Sequence, residues 1–177
     1  MSYRDTKTKR IDTVKISDGK LSAYEHNKKN VEQHTSGKNE IARVMKALTL
    51  LKEVSSQRRD EVSLRLVDAM RSTMEKLAER MVQSQLPLAA IHKTLHEVRL
   101  DALLLATQLK VQAMYDHQIL IAPRPEWREQ IRADHPELND WFDLEKDTPQ
   151  NVNELLQGQL NIIESASDIL FEFNGAK

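Results

Sequence analysis

The chain of 177 residues contains no cysteine and few residues that break helices, with four glycines and five prolines. Without cysteine there is no disulfide, no thiolate nucleophile and no cysteine-based zinc site. Neither of the glycine-rich phosphate motifs, GxGxxG and GxxxxGK[ST], occurs. No apolar run is long enough to span a bilayer. The charged opening MSYRDTKTKR leads into no apolar segment, so we expect a cytoplasmic location, with export by a route that reads a polar N-terminus left open.

Apolar residues in the middle of the chain recur with the spacing of an α-helix. The steps between them alternate between three and four residues, and the series is Leu88, Ile91, Leu95, Val98, Ala102, Leu105 and Leu109. No glycine or proline interrupts the stretch between Pro87 and Pro123. The pattern predicts a helix at about 87–122, which must bury this stripe against other helices. Further stripes with their turn signals predict helices at about 39–85 and 149–173.

These elements define an all-α fold. We predict an elongated helical bundle in which the helices at 39–85 and 87–122 form a long antiparallel hairpin, because the connection between them is short. The C-terminal helix at 149–173 packs along the hairpin, after a connector at 123–148 that is rich in proline, tryptophan and acid. The first helix crosses the polar stretch 55–61 without glycine or proline, so we expect it to continue, and a break into two helices is the alternative.

The N-terminal part of the chain, residues 1–37, is polar and basic. The first 38 residues hold nine Lys or Arg against five Asp or Glu, whereas residues 123–177 hold five against twelve. This composition favours a mobile tail over a docked arm. Asp18-Gly19 between two β-capable runs also indicates a small β-hairpin. We therefore predict a basic tail or small hairpin at 1–37, followed by a helical bundle domain at 38–177.

The residues that could carry chemistry do not form a catalytic or cofactor motif. His92 and His96 are one helical turn apart and could share a metal, but zinc needs three or four protein ligands, so they are weak candidates. The two Asp-His pairs of the chain have no nucleophile motif near them. We therefore expect a protein that is not an enzyme and that has no cofactor.

A helical protein without catalytic motifs is expected to act by contact with other macromolecules. The leading hypothesis is a non-enzymatic interaction or assembly protein, such as an adaptor, chaperone or structural component, which self-associates or binds a protein partner and does not insert into membranes. The predicted contact residues are Met74, Met81, Leu103, Leu104, Trp127, Trp141 and Phe142. Methionines at this spacing are more often core residues, and for the connector aromatics closure of the bundle end is favoured over partner contact.

The rival hypothesis is a nucleic-acid-associated protein that contacts phosphates through its basic tail. The candidate cations are Lys7, Lys9, Arg10, Lys15, Lys28, Lys29, Arg58 and Arg59. Five acids dilute the tail, and the isoelectric point of about 6.6 is not that of a basic protein. A component of a secretion system or of a virion assembly is a third alternative, because such proteins are often cysteine-free, helical and polar at the N-terminus.

Overall fold

Helices joined by short segments make up the fold. The computed structural model describes residues 37–83, 86–123 and 126–175, with the backbone alone at 173–175, and contains no strand within them. The elements in chain order are α1 at 37–57, α2 at Glu61–Val82, α3 at Leu88–Ile121, α4 at Trp127–Asp134, a 3-10 helix at Pro136–Asp140 and α5 at Pro149–Gly175. The predicted all-α bundle is confirmed. The predicted tail or β-hairpin at 1–37 lies outside the described residues, apart from its last position.

The helix that we predicted as continuous over 39–85 is two helices, α1 and α2. Between them Arg59 adopts the left-handed backbone conformation, with φ of 52°. Asp60 then caps α2, because its carboxylate accepts hydrogen bonds from the backbone N–H of Ser63 at 3.0 Å and from the hydroxyl of Ser63 at 2.7 Å. Neither glycine nor proline marks this position, so the cap and the tertiary contacts described below stabilise the break.

α1 and α2 run antiparallel from this turn. Lys52 Nζ lies 3.0 Å from Asp68 Oδ1, and Arg71 Nη1 donates to Thr49 Oγ1 at 3.0 Å. In each pair the two residues are equally far in sequence from Asp60. The two helices therefore keep the same register along their contact. Their facing apolar side chains are fully buried, among them Leu48, Leu51, Val67 and Met74.

α3 contacts both α2 and α5. The apolar stripe predicted on this helix faces the core, where Ile91, Leu95, Ala102, Leu105 and Leu109 are buried and Leu88 is partly buried. Side chains of α1, α2 and α5 complete the same core cluster. The bounds of α3 and α5 lie within two residues of the predicted helices at 87–122 and 149–173. One-sided periodicity therefore located these two helices correctly.

The connector between α3 and α5 forms a second, smaller core. Its two short helices and the segment after them contribute side chains that pack against Leu120 of α3 and against the start of α5. The connector residues are Trp127, Ile131, Leu138, Phe142 and Leu144, and those of α5 are Val152 and Leu156. The indole N–H of Trp127 donates to the backbone oxygen of Leu120. This hydrogen bond satisfies the polar end of a buried tryptophan, as is usual for that side chain. The connector aromatics thus fold back on the ends of α3 and α5.

Candidate interaction surface

The outward face of α3 carries a second apolar stripe. Leu100, Leu104, Val111 and Tyr115 are between 47 and 60% exposed. They follow one another at steps of four, seven and four residues, which places them along one line of the helix. Met114 is also exposed and flanks this line. We call these five residues the outer stripe. A helix that is apolar on opposite faces is typical of a helix that is covered on both sides.

Charged side chains are scarce along the outer stripe. Between Leu100 and Tyr115, α3 holds one acid, Asp101, and one base, Lys110. Lys110 lies about 120° around the helix from Leu104, so its charge projects away from the stripe. Between Leu100 and Tyr115 the exposed face of α3 therefore carries few of the charges that are typical of surface helices.

A groove of about 480 Å³ lies between α3 and α2, beside the outer stripe. Its lining consists of Leu66, Ala69, Met70 and Thr73 from α2 and of Val98, Asp101, Leu104, Leu105 and Gln108 from α3. Asp101 is the single charged residue in that lining. Small side chains at Ala69 and Thr73 leave the groove open on the α2 side. We call this feature the α2–α3 groove, and Leu104 belongs both to it and to the outer stripe.

A buried arginine connects the turn between α1 and α2 to the rest of the bundle. Arg58 Nη2 donates to Asp116 Oδ2 at 2.5 Å, and Arg58 Nη1 donates to Gln159 Oε1 at 3.1 Å. The Arg58 Cζ atom also lies 4.1 Å from the centroid of the Trp141 ring, within the range of a cation–π interaction. These contacts hold the turn against α3, α5 and the segment that follows the 3-10 helix. We call the four residues the Arg58 cluster.

The electrostatics of the Arg58 cluster centre on Asp116. Burial raises the pKa of the Asp116 carboxyl above its ordinary value, and the hydrogen bond and charge of Arg58 oppose this rise. Two further charges act more weakly, Glu137 raising the pKa and His135 lowering it. The amide nitrogen of Gln159 is buried without a hydrogen-bond partner in the protein. The cluster contains no nucleophile, and its charged groups are engaged with each other.

The apolar residues predicted for partner contact divide between core and surface. Leu104 is 60% exposed and Leu103 is partly buried. The others are taken up by the bundle: Met74, Met81, Trp127 and Phe142 are buried, and Trp141 is partly buried under Arg58. Met74 and Met81 lie at the helical spacing of the core, and the connector aromatics pack in the second core, so this part of the predicted contact surface is corrected.

Sequence reasoning missed most of the exposed apolar surface. Leu100, Val111 and Tyr115 share their helix with the longer buried stripe, which dominates the periodicity. The available signal was the width of the apolar face of α3, which exceeds what a single helix contact requires. Leu66 lies on the α2 side of the groove. Its place there depends on how α2 packs against α3, which the residues next to it in sequence do not indicate.

The nucleic-acid candidates within the described residues are Arg58 and Arg59. Arg58 is buried and paired with Asp116, so its guanidinium is not available to a phosphate, which corrects its assignment. Arg59 is exposed and donates through Nη1 to the backbone oxygen of Asp140 at 2.6 Å. The six tail cations of that set, from Lys7 to Lys29, lie outside the described residues.

The histidines at 92 and 96 occupy exposed positions on α3. His96 Nδ1 lies 3.2 Å from Arg99 Nη2. In the parts of the chain that the structure describes, no group of three or more His, Cys, Asp or Glu side chains is placed to hold a metal ion. Among the residues that the structure describes, the two imidazoles therefore gain no third ligand.

Comparison with known proteins gives no indication of what this surface binds. No protein-family model, no curated protein and no solved structure matches the chain. Within residues 37–83, 86–123 and 126–175, no helix combines the length and the apolarity that a membrane crossing requires. The outer stripe and the α2–α3 groove are adjacent apolar features of the described surface.

Proposed function

We propose that the protein is a non-enzymatic assembly protein and that it self-associates through the outer stripe of α3. The observation that carries the proposal is the exposure of Leu104, at 60%, in the middle of a nearly uncharged apolar line. Removing apolar surface from water is favourable by about 25 cal/mol per Å², before the entropic cost of association is subtracted. Contiguous exposed patches of this kind mark interaction sites on soluble proteins.

A second copy of the chain supplies a matching surface. Two-fold dimers use the same patch on both subunits, so one apolar stripe is sufficient for both sides of the interface. The positions Leu100, Leu104, Thr107, Val111 and Met114 follow the alternating steps of four and three residues that two helices need to interlock. Together with the exposed Leu66 of the groove, the stripe offers several hundred Å² per copy, on the order of the roughly 800 Å² per partner that standard interfaces bury.

Self-association is tested by the mass of the protein in solution. Analytical ultracentrifugation or light scattering on the full chain should give a dimer that dissociates on dilution. Leu104→Glu places a charge in the centre of the stripe and should give a monomer with unchanged helix content, because Leu104 is outside the core. A wild-type chain that stays monomeric at about 100 μM, a concentration at which even weak dimers form, contradicts the proposal.

A matched control separates the stripe from apolar exposure in general. Phe171 is 66% exposed on α5 and is not part of the outer stripe. Phe171→Glu therefore introduces the same charge at a similarly exposed apolar position and should leave the dimer intact. Equal dissociation of both variants would show that the outer stripe has no special role.

A further inference from the structure

We propose that Tyr115 of the second copy enters the α2–α3 groove and donates its hydroxyl hydrogen bond to Asp101. The inference rests on the proposed self-association and names the contact that fixes its geometry. Tyr115 is 59% exposed on the same face of α3 as the groove, fourteen residues beyond Asp101. Asp101 is the single charged residue of the groove lining, in which Thr73 and Gln108 are the other polar residues.

An antiparallel pairing of two α3 helices brings these two residues together. Fourteen residues of helix span about 21 Å, and Gln108 lies midway between Asp101 and Tyr115. A two-fold axis beside Gln108 therefore places Tyr115 of each copy at Asp101 of the other. The same axis brings Leu104 next to Val111 of the second copy, so the apolar halves of the stripe cover each other.

The parallel alternative is less favourable for the same residues. A parallel two-fold pairing sets each residue of the stripe beside its own equivalent. The two Asp101 carboxylates would then be drawn together at the interface, where like charges repel. Each tyrosine would face another tyrosine and leave the groove of both copies unfilled. The charge and shape of the surface thus favour the antiparallel arrangement.

The chemistry of tyrosine suits the groove. Its ring is apolar and would lie against Leu66, Met70 and Leu105 of the lining, while its hydroxyl needs a hydrogen-bond partner when buried. A carboxylate that loses water at an interface also needs a donor, because burial without one is costly. The phenol of Tyr115 supplies that donor, and bonds to a charged acceptor are stronger than bonds between neutral groups. The contact therefore selects the register of the dimer.

Dissociation constants of four variants test the contact by sedimentation on the full chain. Tyr115→Ala should weaken the dimer about 30-fold or more, as expected for a buried aromatic anchor. Tyr115→Phe keeps the ring and should weaken the dimer about tenfold or more, since each of the two symmetric contacts loses its hydrogen bond to Asp101. Asp101→Asn alone should weaken the dimer, but added to Tyr115→Phe it should cause no further loss of affinity, because the carboxylate has already lost its donor.

Cysteine cross-linking tests the antiparallel register independently, because the natural chain has no cysteine to compete. Gln108→Cys should cross-link two copies through a short thiol reagent, since it lies at the proposed axis. Glu97→Cys lies on the same line of the helix but far from the axis, and should not cross-link to itself. Efficient cross-linking of both variants would overturn the antiparallel arrangement.

The outcomes separate the two proposals. If Leu104→Glu abolishes the dimer but Tyr115→Ala binds as tightly as the wild type, self-association stands and insertion of Tyr115 into the groove is wrong. If the wild type is a monomer, both proposals are wrong. Loss of affinity in both variants, with cross-linking of Gln108→Cys alone, supports both.

Discussion

Arg58 and Asp116 form a buried ion pair that joins the turn between α1 and α2 to α3. The Arg58 Nη2 and Asp116 Oδ2 atoms are 2.5 Å apart, and the two side chains are 7 and 10% exposed. Desolvation offsets much of the attraction in such a pair, so a buried ion pair is better suited to specifying an arrangement than to adding stability. Here the pair ties the residue that follows the last turn of α1 to α3, at the point where the chain turns back into α2.

Removal of Arg58 is expected to destabilise the bundle strongly. Arg58→Met should lower the free energy of unfolding by about 3 kcal/mol at neutral pH, because it leaves the Asp116 carboxylate buried without its cation. Urea denaturation followed by circular dichroism measures this change. Arg59→Met is the matched control, since Arg59 is exposed and its loss should cost less than about 1 kcal/mol. Equal midpoints for the two variants would contradict a special role of the ion pair.

The cost of Arg58→Met is expected to depend on pH. Burial raises the pKa of Asp116 and Arg58 opposes the rise, so the pKa should be higher still without Arg58. An acid whose pKa is raised on folding binds its proton more tightly in the folded chain. Its contribution to stability is therefore largest below the ordinary value of 3.8 and is lost as the pH rises through the folded pKa.

The measurement is the difference in unfolding free energy between wild type and Arg58→Met from about pH 4 to pH 8. We expect this difference to grow as the pH rises, because the unpaired Asp116 becomes charged. Adding Asp116→Asn to Arg58→Met removes the titrating group, so the unfolding free energy of this double variant should lose the steeper pH dependence of Arg58→Met. A difference that is the same at every pH would show that Asp116 does not carry the cost.

The left-handed backbone conformation of Arg59 predicts that glycine is more stable than alanine at this position. An L-residue in this conformation is less favourable than glycine by roughly 1 kcal/mol, because its Cβ crowds the backbone. Arg59→Gly should therefore be more stable than Arg59→Ala by about that amount. Both variants lose the contact with the backbone oxygen of Asp140, so the comparison isolates the backbone term. Thermal denaturation measures it, and equal stabilities would mean that the turn relaxes to another conformation.

The break between α1 and α2 at Arg58–Asp60 is not predictable from the residues next to it in sequence. α3 and α5 were predictable because one apolar face repeats along each helix and turn residues mark their ends. The break between α1 and α2 has no glycine or proline, and the partners of Arg58 lie 58 and 101 residues further along the chain. A residue with such distant partners looks in sequence like part of a solvated basic patch. Its burial is therefore not deducible from its neighbours.

The candidate surface was predictable only in part, for a different reason. Leu104 is a predicted contact residue because the apolar face of α3 is wider than one helix contact requires. Leu100 and Tyr115 are not, because the buried stripe of the same helix dominates its periodicity. Met74 and Met81 fit a contact surface equally well by spacing, and only the packing of α2 against its neighbours shows that they are core residues. Spacing identifies a helical face, but it does not identify what covers that face.

Truncation of Met74 should therefore lower the stability of the monomer, whereas truncation of Leu104 should weaken association. Met74 is fully buried, so Met74→Ala should lower the free energy of unfolding by about 2–5 kcal/mol through the loss of packing. Leu104→Ala should change the stability of the monomer by no more than about 0.5 kcal/mol, because the side chain is largely exposed. Its effect should be on association.

Thermal denaturation at several protein concentrations distinguishes these two effects. Association stabilises the folded state by mass action, so the Tm of the wild type should rise with protein concentration. Leu104→Ala should weaken this dependence without lowering the Tm at high dilution. Met74→Ala should lower the Tm at every concentration and keep the dependence, because the outer stripe is unchanged. A Leu104→Ala variant that behaves like Met74→Ala would place Leu104 in the core and remove the basis of the proposed interface.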